Sequence, residues 1–100
     1  MKYITLEDIH RQLRLEPDFT EDDGLLEGLG DAAESFMEAH LNRALDDVAA
    51  DNSGELPKAL WQALLMMVDY SYDESGSGES RPVPDAYWIL CKPWQNYTIV

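Results

Sequence analysis

The sequence predicts an all-α fold, a small bundle of about four helices in the order short, long, long, short. Three observations carry that expectation. Apolar residues recur at three- and four-residue spacing in separate blocks. Threonine and proline stand where helices open. The stretch Leu56 to Tyr70 reads as a helix that begins at Pro57 and is apolar on far more than one face. A chain of 100 residues, 45% of them hydrophobic, makes one domain with one core. So oily a helix must then be its central element or bury part of itself against another chain.

The first helix is expected over residues 6–13. Thr5 and Asp8 have the spacing of a capping box, in which the hydroxyl accepts from the third backbone N–H and the carboxylate suits the positive helix end. Leu6, Ile9 and Leu13 follow at helical spacing, Tyr3 and Ile4 can staple the entry, and Pro17 blocks continuation. A second cap is expected at Thr20 with Asp23, and Glu21, Asp22 and Asp23 load the first turn with negative charge. Leu25, Leu26, Leu29, Ala32, Ala33, Phe36, Met37, His40 and Leu41 then form one long apolar face that closes near Asn42. Gly24, Gly28 and Gly30 weaken this helix by about 1 kcal/mol each relative to alanine. Close approach of another helix at Gly28 and Ala32 would compensate.

Residues 44–55 are polar and predict an exposed loop with at most a short turn around Leu45 to Val48. Pro57 opens the third helix, with Leu60, Leu64, Met67 and Val68 on one side and Trp61, Leu65 and Tyr72 on another. One stripe should face the second helix, leaving the other for the first helix or a neighbouring subunit. The Ser- and Gly-rich run 73–83 predicts a flexible loop. A last short helix follows Pro84, Pro93 ends it, and the aromatic, β-branched tail 94–100 prefers an extended form.

The charge balance narrows function. Seven basic residues against 20 acidic ones leave a net charge of −13, opposite to the surface that neutralises phosphates. Such acidity fits a solvated surface, a basic partner, or DNA that slides past without sticking. Cys91 is the single cysteine, which rules out an intrachain disulfide and fits a small buried residue in a reducing cytosol. No run reaches the roughly 18 apolar residues of a membrane span. Met1 to Thr5 lacks the apolar core of a secretory signal, so a soluble, cytoplasmically made protein is expected.

Catalytic patterns are weak. His10 and His40 fall on different helices, without the converging ligands a metal needs. Glu34 and Glu38, four apart with Asp31 one turn earlier, read as a solvated acidic face before a cation site. Ser75 to Gly78 is neither a nucleophile elbow nor a phosphate-binding loop. No enzymatic role, cofactor or metal is expected. Tyr87, Trp88, Trp94 and Tyr97 concentrate large aromatics near the end of the chain, as interface hot spots do. With Trp61, Leu65 and Tyr72 they form the expected contact set, the tail either folding back on its own core or hooking a neighbour.

Several of these segments resemble the head–tail connector (adaptor) family of tailed phages. The resemblance runs from Tyr3-Ile4-Thr5-Leu6-Glu7-Asp8-Ile9 through Leu13-Arg14-Leu15, an acidic gap and a long helix closing in Ala39-His40-Leu41-Asn42-Arg43. The proline-started Leu56 to Met66 and a proline-led last helix complete the order. His40 stands where the family usually has tyrosine, and Lys92-Pro93-Trp94 replaces its proline–tyrosine–arginine close. The resemblance implies a non-enzymatic subunit of a ring beneath the portal, joining head to tail and helping to retain packaged DNA. Its implied partners are other copies of itself, the portal protein and a tail-completion or head-closure protein, with DNA passing through an acidic lumen. As a phage or prophage protein it would be made in the host cytoplasm and end at the head–tail junction of the virion. The rival expectation from charge is a small acidic binding module: a DNA-mimic inhibitor, or an antitoxin-like regulator of a basic protein.

Overall fold

A computed structural model describes residues 1–77 and 82–95. It contains α1 (Leu6–Leu13), α2 (Asp23–Leu41), α3 (Leu45–Ala50), α4 (Lys58–Ser77) and α5 (Asp85–Cys91), followed by a 3₁₀ turn at Lys92–Trp94. There is no strand among the described residues. The expected short–long–long–short order holds, with one added short helix in the 44–55 connection.

Local chemistry starts α1 where expected. The Asp8 N–H donates to Thr5 Oγ1 at 3.1 Å and the Thr5 N–H donates to Asp8 Oδ2 at 3.0 Å, a complete capping box. Arg14 closes the helix in the left-handed conformation at φ 60°. Asn42 does the same for α2 at φ 57°.

The second cap forms differently from expectation. Thr20 to Asp22 make a turn, and α2 begins at Asp23 with Asp22 before it. The acids there serve distant partners. Asp22 Oδ2 accepts from the Tyr72 hydroxyl of α4 at 2.6 Å, and Asp23 Oδ1 stands 2.7 Å from the buried His10 imidazole of α1. Both tie the start of α2 to its neighbours, so tertiary bonding has displaced the local cap.

At the other end of the bundle the carboxylates on α2 become caps. Glu34 accepts the Lys2 N–H at 3.0 and 3.1 Å and the Tyr3 N–H at 2.9 Å. Glu38 accepts the Leu45 N–H at 2.8 Å, which satisfies the first turn of α3. These acids are structural; they fix the N-terminal arm and α3 against α2. Tyr3 and Lys2 both reach Asp46, the hydrogen bond to Asp46 pushing the Tyr3 phenol up to about 12 and the Lys2 and Tyr3 bonds lowering Asp46. A Cβ on Gly30 would meet only the flexible end of the Met1 side chain at close range, and nothing lies within 4 Å of one on Gly28, so the close helix approach expected at Gly28 does not form.

α4 is the hub, packed against α1, α2 and α5. Leu60, Ala63, Leu64, Leu65 and Val68 are buried in one cluster with Ile9, Leu26, Met37, Leu41, Tyr87 and Cys91. α4 also runs on to Ser77, through the first part of the expected 73–83 loop. Tyr70 and Tyr72 pack against the core, and that packing carries the helix past the point where the polar sequence predicts an end. Residues 78–81 of that loop, and residues 96–100 of the expected tail, lie outside the described residues.

Candidate functional site

A helix at the centre of a bundle has its oily surface consumed by its neighbours. α4 illustrates this: of the stripe left for the first helix or a neighbouring subunit, Leu65 is 2% exposed, and Trp61 and Tyr72 are half-buried against the core. Leu65 therefore belongs to the protomer interior, a correction to its expected place in a contact surface. Tyr87, 0% exposed, belongs there too. Its hydroxyl meets no nitrogen or oxygen partner and has Cys91 as neighbour. Burial, then Cys91, pushes the Tyr87 phenol well up; burial likewise raises the Cys91 thiol, an environment for packing and against thiolate chemistry.

Among the described residues the uncovered large apolar side chains, Met1 apart, lie on α2 and α5. Ile89 is 68% exposed, Leu25 45% and Phe36 42%. Phe36 sits 6.0 Å from both Tyr87 and Trp88, ring centre to ring centre, and His40 lies edge-on to Trp88 at 4.8 Å. Tyr87 and Trp88 pack at 5.0 Å and 88°. Phe36, His40, Trp88 and Ile89 thus make one aromatic-aliphatic surface. A groove of about 360 Å³ runs beside it, lined by His40, Trp88, Ile89, Lys92 and Gln95.

The structure brings together two of the expected contact residues, Tyr87 and Trp88, with only Trp88 reaching the surface. Trp94 is half-buried against the core. Tyr97 lies outside the described residues. Nothing in the short α5 sequence separates the exposed Ile89 from its buried neighbours, and Phe36 is missed as a surface group because α2 reads as a single apolar face. The fold divides that face: Leu26, Ala33, Met37 and Leu41 turn inward while Leu25, Ala32 and Phe36 stay outside.

A second concave feature, about 560 Å³, lies beside α1 and is lined by Leu6, Glu7, His10, Arg11, Leu15, Pro17 and Asp23. His10 and Asp23 are already bonded to each other, and no nucleophile joins them. Among the described residues no three His, Cys, Asp or Glu side chains group as metal ligands, and no helix is long and apolar enough to cross a membrane.

The chain offers packed helices and an exposed aromatic face, the equipment of assembly. Neither the curated proteins nor the solved structures yield a match to it. A family model described as "Phage gp6-like head-tail connector protein" matches residues 3–83. That span takes in the capping box, the split helix α2 and the whole hub helix α4. The family is structural and its place is the junction of phage head and tail, in association with other head and tail proteins. This chain belongs to the phage gp6-like head–tail connector family.

Proposed function

We propose that this chain is a ring-forming subunit at the portal vertex, where it joins head to tail and helps retain packaged DNA. The observation that carries the reading is the apolar surface left over when the core is complete: Phe36, Trp88 and Ile89 on α2 and α5. Solvated helices seldom keep such a cluster without a partner. Its partners would be further copies of the chain, the portal protein and a head-closure or tail-completion protein. The net charge of −13 suits a ring whose lumen passes DNA without adhesion. Trp61, Tyr72, Trp94 and Tyr97 remain proposed contributors to those contacts, with Trp88 at the centre.

The test is mass measurement of the protein mixed with its portal protein. A defined multi-subunit complex supports the reading; a protein that stays monomeric with the portal overturns it. Deleting residues 94–100 sharpens the result. If the tail takes part, light scattering will record less assembly, and undiminished ring formation and portal binding would retire that part of the proposal.

A further inference from the structure

The outer face of α5 carries a charge pattern of its own. Asp85, Trp88, Ile89 and Lys92 are spaced so that they share one side of the helix. Lys92, the residue after α5, keeps helical dihedrals (φ −53°, ψ −45°), so the spacing holds to the end. Asp85, Ile89 and Lys92 are exposed and Trp88 is half-buried. The two charges stand about 10 Å apart along the axis at a rise of about 1.5 Å per residue, too far to pair with each other. Among the described residues neither is in an ion pair. Lys2, Arg11 and Arg43, by contrast, are spent on Asp46, Glu7 and Asp51 of their own chain. The nearby acids of α2 are committed too, Glu34 to the N-terminal arm and Glu38 to α3, so only Phe36 and His40 border the patch from that helix.

Along the helix the order is acid, apolar pair, base. A two-fold contact needs a patch that is complementary to itself, and this order becomes so when a second copy lies antiparallel. The acid of each copy then meets the base of the other, at both ends, with Trp88 and Ile89 between. The two charges cancel within the patch, so copies that carry −13 each can approach here without the repulsion that the rest of the surface brings. We infer that two copies of the chain pair antiparallel through α5, Asp85 of each facing Lys92 of the other and Ile89 near the axis. The inference goes beyond the ring-forming reading, because a two-fold contact closes at two copies. Such a dimer is the state of the free chain before it meets the portal protein.

Sedimentation equilibrium of the whole chain, without portal protein, tests it. The wild type should approach twice the mass of one chain as its concentration rises from micromolar to millimolar. Asp85→Lys and Lys92→Glu are both surface changes, and each sets like charges against each other at both ends of the contact. Either one should weaken the dimer by roughly tenfold or more. Mixed in equal amounts, the two variants should regain the dimer mass, since each then supplies the charge that the other lacks, and that recovery also shows both to be folded. The double exchange Asp85→Lys/Lys92→Glu should pair with itself as the wild type does. A wild type that stays monomeric throughout or assembles beyond two copies would overturn the inference. So would a dimer that neither single change weakens, or a loss that neither the mixture nor the double exchange repairs. The portal-bound complex is measured separately, so the ring-forming reading stands or falls on its own.

Discussion

α4 and α2 make an instructive pair. α4 is the more apolar helix by sequence, yet it shows little of that surface because α1, α2 and α5 surround it. α2 carries three glycines and a row of acids, yet it presents Leu25 and Phe36 to solvent. What a helix has left for a partner depends on how many neighbours the fold gives it; its total hydrophobicity is a poor guide. Among the described residues the spare apolar surface of the helices accordingly lies on α2 and α5, and α4 builds the block that presents it.

The sharpest way to break this comparison is to mutate each helix where the other is strong. Leu64→Ala, at a fully buried position of α4, should cost about 2–5 kcal/mol, read as a lower denaturant midpoint. A loss under 1 kcal/mol would remove α4 from the centre of the account.

A smaller effect is expected at the first helix, where Thr5→Ala removes the capping bond to Asp8 and should cost about 1 kcal/mol by the same measurement. That helix shows what can be read locally. Its cap, its residues and its end follow from neighbours a few positions apart, as do the Asn42 stop and the short α5 between prolines. Other features depend on bonds between residues 13 to 50 positions apart. Glu34 looks like a solvated acid until Lys2 and Tyr3 arrive from 32 and 31 residues away. Thr20 looks like a cap until Tyr72 and His10 claim Asp22 and Asp23. Residues 73–77 look like loop, and the tyrosines before them continue the helix by packing. The division of α2 into inner and outer apolar residues was latent in the spacing of Leu25, Ala32 and Phe36, but separating it from the core face requires knowing where α1 and α4 lie.

A subtler change is expected with pH. The Tyr3 phenol is raised from 10.0 to about 12 by its bond to Asp46, so the folded chain holds that proton more tightly than the unfolded one. The stabilisation is whole below pH 10 and is lost as pH rises toward 12. Denaturant midpoints across this window should fall less in Tyr3→Phe than in the wild type. An equal fall in both would mean that the Tyr3–Asp46 bond contributes nothing in solution.

The central claim is that the working surface lies on α2 and α5. Its most direct test is the mass of the portal-bound complex formed by Phe36→Ser/Ile89→Ser, both exposed positions. The prediction is a variant that unfolds at nearly the wild-type midpoint but no longer enters the multi-subunit complex. A variant that assembles to the wild-type mass would contradict it.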